Sequence, residues 1–314
     1  MNVDPCSLPS PLIVVAGPTG SGKSHLALAL AREFDGEIVN ADSVQVYKYF
    51  DIGSAKLSEG ERHGIPHHLL DVASPDEVFT AGDYARAARQ ALTGINARAH
   101  LPIVAGGTGF YIRALLEGLF EGPPRDEALR TRMAAREQRQ PGSLHRWLAR
   151  FDPLAAGRIH AHDVNKTMRA LEVLLRTGRP VSELHAGGRD ALTGYRRLML
   201  VLNPPREQLY ERIEARSAAM FDRGLVEETQ SILARGYART CKPFESLGYA
   251  QALGVIEGRM SREQAVAETA MLTRRYAKRQ WTWFRKERDA VWLDSFGENA
   301  VHPGIALVRH WLRG

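Results

Sequence analysis

The chain of 314 residues is long for one hydrophobic core and predicts two domains or one domain with a large insertion. Its composition, 44% hydrophobic and 25% charged, is typical of globular proteins, and neither a membrane span nor a secretory signal is expected. Two cysteines, Cys6 and Cys241, exclude a disulfide framework and a paired-cysteine zinc site, so we expect a reduced, cytoplasmic protein. The net charge of +6 favours polyanionic partners without identifying one.

Short apolar, β-branched runs predict the buried strands of a parallel sheet. They lie at residues 12–16, 37–41, 102–105 and 198–202. A helical pattern follows the first run up to Arg32, and a second one covers Phe110 to Leu119. Strands that alternate with helices predict an α/β fold with a doubly wound parallel sheet.

The pattern changes after Pro123 and Pro124. Apolar residues then recur at helical spacing, as at Leu144, Leu148 and Phe151, and no strand is apparent before about residue 197. We therefore predict that residues 1–124 and 197–314 form the core and that 125–196 form an all-helical insertion domain. Residues 206–286 are expected to be helical within the core.

A phosphate-binding loop is expected between the first strand and its helix. Its residues are Gly17, Pro18, Thr19, Gly20, Ser21, Gly22, Lys23 and Ser24, which match the P-loop pattern of nucleotide-binding and ATP-binding proteins. The glycines let backbone N–H groups converge on phosphate oxygens, Lys23 neutralises the terminal phosphates, and the Ser24 hydroxyl can hold Mg²⁺. The motif predicts a di- or triphosphate ligand; the alternative is a glycine-rich turn that binds nothing.

Polar residues follow the next two predicted strands. Asp42 and Ser43 follow the second strand, and Gly106 to Gly109 follow the third. Ligands of open parallel sheets bind outside the carboxyl ends of the strands, so both groups should face the crevice of the phosphate loop. Asp42 is a candidate general base or magnesium-associated carboxylate, and Thr108 a candidate donor to substrate. The structural alternative for both is a cap of the following segment.

The ordered set of motifs resembles the bacterial tRNA dimethylallyltransferases, also called tRNA isopentenyltransferases. The resemblance runs from about Pro11 to Arg288. Besides the phosphate loop, the motifs are Ala41-Asp-Ser-Val-Gln-Val-Tyr47, Asp51-Ile-Gly-Ser-Ala-Lys56, His67-His-Leu-Leu-Asp71, Gly106-Gly-Thr-Gly-Phe-Tyr111, Arg169-Ala-Leu-Glu-Val173, Met220-Phe-Asp-Arg-Gly-Leu225, Ser246-Leu-Gly-Tyr249 and Arg275-Tyr-Ala-Lys-Arg-Gln-Trp-Thr-Trp-Phe-Arg285.

The resemblance implies transfer of a dimethylallyl group from dimethylallyl diphosphate to the exocyclic amine of the adenosine 3′ of the anticodon in tRNA, with Mg²⁺ as cofactor. It implies that Asp42 is the general base and that Thr19 and Lys23 contact the diphosphate, with Arg223 as a further ligand. Residues that fall where the family meets tRNA are Asp42, Ser43, Val44, Gln45, Thr108, Arg130, Lys166, Thr167, Met168, Arg169, Ala170, Leu247, Gly248, Tyr249, Ala250, Gln251 and Ala252. The default expectation for the oligomeric state is a monomer.

Basic residues are dense in two regions. The insertion carries Arg125, Arg130, Arg132, Arg136, Arg139, Arg146, Arg150, Arg158, Lys166 and Arg169. Near the C-terminus, Arg274, Arg275, Lys278, Arg279, Arg285, Lys286 and Arg288 interleave with Tyr276, Trp281, Trp283 and Phe284. Such patterns suit RNA phosphates and stacked bases, whereas the tryptophans are favoured as core residues under a solvated helix face.

A few positions depart from the family pattern. His162 and Lys166 stand where the family has asparagine and arginine, and Lys166 loses the bidentate fork of arginine. Val44 and Ser54 are further replacements, and none touches the phosphate loop or Asp42. Activity should survive, although tRNA preference can differ.

Two other functions compete with prenyl transfer. An ATP-dependent small-molecule kinase has the same phosphate loop, and its arginine-bearing lid resembles the helical insertion. A GTPase-like switch or RNA-binding module is the non-catalytic alternative, but the chain has no clear Asn-Lys-x-Asp element for base recognition.

Overall fold

Six parallel strands form one sheet within the part of the chain that the computed structural model describes, residues 9–120, 122–186, 188 and 190–314. The predictions about Cys6 and about a leader at the N-terminus lie in residues 1–8, outside this part. The strands are β1 (Ser10–Ala16), β2 (Gly36–Asn40), β3 (His67–His68), β4 (Leu101–Gly106), β5 (Tyr195–Leu202) and β6 (Ala290–Leu293), in the order β3-β2-β4-β1-β5-β6.

The helices that the structure describes follow the strands in an α/β arrangement. They are α1 (Lys23–Glu33), α2 (Ala81–Ala97), α3 (Gly109–Leu116), α4 (Glu127–Arg139), α5 (Ser143–Phe151), α6 (Pro153–Arg158), α7 (Val164–Thr177), α8 (Val181–Ala186), α9 (Arg206–Asp222), α10 (Leu225–Ala234), α11 (Tyr249–Ile256), α12 (Arg262–Phe284) and α13 (Val301–Arg313). The predicted α/β class with its helical insertion is thereby confirmed. Among the described residues, none of the helices has the length and apolar character needed to cross a bilayer.

The predicted strands are present with small shifts of their ends, and two further strands join the sheet edges. β3 pairs only His67 and His68 with Ile38 and Val39 of β2. A two-residue strand is too short to show alternation. β6 is four residues long and pairs with β5 alone.

The chain divides into two units. The first contains the sheet, with α1 to α3 and α9 to α13, and ends at Leu116 before resuming at Leu192. Its core includes Ile13 and Val15 of β1, packed with Leu26 and Leu30 of α1. Leu12, Val14 and Ala16, which point to the opposite face of β1, are also buried. Burial on both faces of the sheet explains why the central strands read as continuous apolar runs.

The second unit, Glu117–Ala191, contains α4 to α8 and has a core of its own. Three of its helices begin at aspartates whose carboxylates accept N–H groups of the first turn: Asp126 at α4, Asp152 at α6 and Asp163 at α7. The unit boundaries differ by several residues from the predicted 125–196.

Candidate active site

The phosphate loop connects the end of β1, in the middle of the sheet, to the start of α1. Gly17, Gly20 and Gly22 have φ values of 145°, 81° and 86°, a region that residues with a Cβ rarely adopt. No side chain caps α1, so its first N–H groups are available to an anion. The backbone conformation of the loop and the uncapped start of α1 are therefore those that an anion-binding loop requires.

Lys23 folds back over this loop. Its Nζ donates a hydrogen bond to the carbonyl oxygen of Pro18 at 2.7 Å. Burial and, to a smaller extent, the nearby positive charge of Arg216 lower the pKa of Lys23 to about 8, while the charge of Asp42 acts in the opposite direction. Lys23 is therefore a cation of reduced basicity beside a second cation and a carboxylate.

Arg216, on α9, is a site residue that sequence analysis missed. Burial lowers the pKa of its guanidinium, and the charge of Asp42 partly offsets this effect. The guanidinium of Arg216 thus lies within electrostatic reach of both Lys23 and Asp42. It was one of many arginines in a helical segment, and nothing in the sequence pattern says which of them faces the sheet.

Asp42 lies two residues after β2 and caps the turn that follows it. Its Oδ1 accepts hydrogen bonds from the backbone N–H groups of Val44 at 2.8 Å and Gln45 at 3.3 Å. Asn40, buried at the end of β2, accepts from the backbone N–H of Asp42 at 3.1 Å and donates to the carbonyl oxygen of Leu69 at 3.0 Å. Asp42 therefore does cap the following segment, which was the structural alternative to a functional role. The same hydrogen bonds also fix the position of its carboxylate.

Thr108 joins the turn after β4 to the turn after β2. Its Oγ1 accepts the backbone N–H of Ser43 at 3.0 Å and lies 3.3 Å from the Ser43 hydroxyl. The structure thus brings Asp42, Ser43 and Thr108 together at the carboxyl edge of the sheet. Lys23 belongs to the same site, since the Asp42 charge acts on it.

Helix α12 contributes two polar side chains to this edge. Gln280 accepts the backbone N–H of Thr19 and donates to the carbonyl oxygen of Gly107, both at 2.8 Å. One turn earlier lies Tyr276, where burial and the negative charge of Asp42 raise the pKa of the phenol to about 12, and the side chains of Thr108 and Gln280 act in the opposite direction. Both residues lie in the motif of residues 275–285. The basic residues of that motif dominate its pattern, so the sequence did not indicate that these two side chains belong to the site.

The segment from Leu247 to Ala252 covers the two residues before α11 and the first four residues of that helix. Tyr249 is fully buried; its hydroxyl donates to Glu228 at 2.5 Å and accepts the backbone N–H of Gly53 at 3.1 Å. The predicted contact residues Gly248, Gln251 and Ala252 are also buried, whereas Leu247 and Ala250 are half-buried.

Gln45, in the turn after Asp42, is hydrogen bonded to the loop that contains Ser54. Its Nε2 donates to the carbonyl oxygen of Ser54 at 3.0 Å.

Arg223 is exposed at the C-terminal end of α9, where its charge contributes to lowering the pKa of Glu61. It lies seven positions after Arg216 and directly follows the last residue of α9.

The predicted RNA-contacting residues of the second unit form two groups. Arg130 and Arg169 pair with the buried Glu172, at 3.6 Å and 2.6 Å respectively. Lys166 is exposed and pairs with Asp163 at 2.5 Å. The remaining three residues, Thr167, Met168 and Ala170, are buried on the core side of α7.

The aromatic residues near the C-terminus divide between core and surface. Trp281 and Phe284 are buried, as the core interpretation predicts. Trp283 is half-buried, with Arg113 4.5 Å from its ring centroid and Phe110 packed edge-on. Arg275, Lys278, Arg279, Arg285, Lys286 and Arg288 are exposed.

Comparisons with known proteins give one consistent result. Residues 45–287 match the sequence model of the IPP transferase family. The tRNA dimethylallyltransferase of Solibacter usitatus is 62% identical over 91% of this chain and 94% of its own length, and that of Koribacter versatilis is 54% identical over 94% and 96%.

Solved structures agree with the sequence relatives. The full-length tRNA isopentenylpyrophosphate transferase of Bacillus halodurans is 33% identical, covers 97% of both chains and has a TM-score of 0.71. A eukaryotic dimethylallyltransferase acting on tRNA has a TM-score of 0.83 at 27% identity, covering 97% of this chain and 80% of its own.

Proposed function

Because the chain belongs to the IPP transferase family, we propose that it transfers a dimethylallyl group from dimethylallyl diphosphate to the exocyclic amine of the adenosine 3′ of the anticodon in tRNA, releasing diphosphate. The observation that carries the proposal is one sheet edge that combines an anion-binding loop, two cations and a carboxylate. Lys23 and Arg216 are the cations and Asp42 is the carboxylate.

The reaction replaces a carbon–oxygen bond by a carbon–nitrogen bond. The bond between the allylic carbon and the diphosphate oxygen breaks, and its electron pair leaves with diphosphate. The exocyclic nitrogen bonds to the same carbon and passes one proton to Asp42. An exocyclic amine is a weak nucleophile because its lone pair is delocalised into the ring, so stabilisation of the departing negative charge supplies most of the catalysis.

The phosphate loop suits such a leaving group. The anion site is surrounded by preorganised positive groups, which are the N–H groups of the loop, the start of α1, Lys23 and Arg216. The pKa of Lys23, about 8, leaves it largely protonated near neutral pH. Thr19 and Arg223 remain proposed diphosphate contacts, of which Thr19 is part of the loop itself.

Asp42 is suited to accept the proton of the amine. Its Oδ1 is held by the Val44 and Gln45 amides, so the carboxylate keeps a fixed position. Only modest basicity is needed because the amine becomes acidic as it bonds to carbon. Thr108, which holds Ser43, is proposed to contact the target base together with residues 42–45.

Mg²⁺ fits the residues present. Ser24 is exposed in the first turn of α1, beside the anion-binding N–H groups. In the described part of the chain, no group of three or more His, Cys, Asp or Glu side chains is arranged to hold a metal. Mg²⁺ at diphosphates often takes few protein ligands, so Ser24 would hold it together with phosphate oxygens. When bound, the ion neutralises charge on the leaving diphosphate.

The target adenosine lies in an anticodon loop, and we propose that it is flipped out to reach the sheet edge, at a cost of a few kcal/mol. The exposed cations of α12 and of the second unit, Lys166 among them, are proposed to bind RNA phosphates.

We further propose that the protein acts as a cytoplasmic monomer. The kinase alternative is not favoured, because the curated relatives that match over almost the whole chain are named tRNA dimethylallyltransferases.

The test is transfer of radiolabel from dimethylallyl diphosphate to an unmodified anticodon stem-loop, with Mg²⁺ and without ATP. We expect label at the loop adenosine and none when guanosine replaces that base. No incorporation, together with Mg²⁺-dependent ATP turnover on a small-molecule acceptor, would support the kinase instead.

A further inference from the structure

We infer that Gln280 is a positioning residue that sets the spacing between the phosphate loop and the Gly107–Thr108 turn, and so between the two substrates of the proposed prenyl transfer. The inference rests on the proposed function. It concerns a side chain of α12 that is not among the proposed substrate contacts. The contacts that carry it join three segments far apart in the chain.

The carboxamide of Gln280 uses both of its ends. Its Oε1 accepts the backbone N–H of Thr19 at 2.8 Å, and its Nε2 donates to the carbonyl oxygen of Gly107 at 2.8 Å. The orientation of the amide follows from its partners, because a backbone N–H only donates and a carbonyl oxygen only accepts. Gln280 is buried, so neither partner would find water in its place.

The two partners belong to different halves of the site. Thr19 lies within the loop proposed to bind diphosphate. Gly107 directly precedes Thr108, whose Oγ1 holds the backbone of Ser43, next to Asp42. A single side chain therefore bridges the half that takes the leaving group and the half proposed to take the base.

The fit at Gly107 shows how closely this bridge approaches the backbone. A Cβ added to Gly107 would lie 2.3 Å from Nε2 of Gln280, and the next nearest atoms are 3.5 Å away. Gly107 is not among the glycines with positive φ, so an alanine would meet a steric obstacle and no backbone strain. The obstacle is Gln280 itself, and moving it breaks both hydrogen bonds.

Loss of the bridge should affect the reaction more than binding. Each half keeps its own groups for its substrate, but the distance between the allylic carbon and the amine is no longer fixed. Misplacement of reacting groups by about 1 Å can cost about 100-fold in rate. We expect Gln280→Leu, which keeps the volume and loses both bonds, to lower kcat by about 10- to 100-fold. KM for dimethylallyl diphosphate and for the stem-loop should stay unchanged.

The experiment compares steady-state kinetics of Gln280→Leu with those of Thr282→Ala, an exposed position on the same helix that should behave as the unaltered enzyme. A rise in KM for dimethylallyl diphosphate at unchanged kcat, or unchanged kinetics below the melting temperature, would overturn the inference. A double-mutant cycle adds a second readout. Gly107→Ala should lower kcat in the unaltered chain and add little in Gln280→Ala, whereas additive losses contradict the bridge.

The cycle also separates this inference from the proposed function. Absence of transfer by the unaltered chain would defeat the function. The melting temperatures of the same four proteins would then still decide whether Gly107 and Gln280 are coupled: a non-additive cycle supports the bridge, and an additive one overturns it.

Discussion

Asp42 accepts a hydrogen bond from the backbone N–H of Val44 at 2.8 Å, so the carboxylate that we propose as the general base also caps a turn. Asn at this position keeps an acceptor for the turn but cannot take a proton. We expect Asp42→Asn to slow single-turnover transfer by about 100- to 10,000-fold, the range for losing a general base.

Asp42→Ala should show the same loss of rate and a second defect. Removal of the cap should lower the free energy of unfolding by about 1 kcal/mol, which urea denaturation measures and which Asp42→Asn should not show. Transfer by Asp42→Asn at a rate within about tenfold of the unaltered enzyme would remove Asp42 from the role of base.

Lys23 should make diphosphate binding depend on pH. The charged amine binds the anion more tightly, and because its pKa is about 8, this charge is lost as the pH rises through that value. Relative to Lys23→Arg, which stays charged, affinity for inorganic diphosphate should fall about tenfold between pH 7 and pH 9. Calorimetry in two buffers should detect proton uptake on binding at pH 9. Parallel pH profiles for the two proteins would contradict this account.

Arg216 should support both the leaving group and the unusual pKa of Lys23. We expect Arg216→Gln to lower the rate of transfer by about 100- to 1,000-fold, as loss of one preorganised charge donor does. Because Arg216 depresses the pKa of Lys23, the fall in diphosphate affinity should also move to higher pH. Arg206→Gln, at the exposed start of the same helix, is the matched control. An unchanged pH profile would show that Arg216 does not act on Lys23.

Tyr249 is expected to stabilise the fold instead of binding RNA through its side chain. Tyr249→Phe removes the hydroxyl that bonds to Glu228 and Gly53, which should lower the free energy of unfolding by about 1 to 3 kcal/mol. Stem-loop affinity, measured well below the melting temperature, should not change. Weaker RNA binding at unchanged stability would assign the hydroxyl to the interface.

Local sequence was enough to predict the phosphate loop and the polar strand ends. The glycines of the loop are required by its backbone conformation, and the carboxyl ends of parallel strands necessarily share one edge, which is why Asp42 and Thr108 were found. Two short strands escaped prediction because β3 and β6 span too few residues to show alternation.

The helical part of the site was not predictable in the same way. Arg216, Tyr276 and Gln280 come from helices far along the chain, and tertiary packing decides which of their many polar residues turn towards the sheet. The same limit applies to Thr167 and Met168, which lie inside a predicted contact segment but face the core of the second unit.

The most direct test of the central claim follows the oxygen that links the dimethylallyl carbon to diphosphate, labelled with a heavy isotope. Prenyl transfer breaks the carbon–oxygen bond, so mass spectrometry should find the isotope in released diphosphate and the dimethylallyl group on the loop adenosine. Isotope retained on the five-carbon product would mean that a phosphorus–oxygen bond breaks, and would contradict the account.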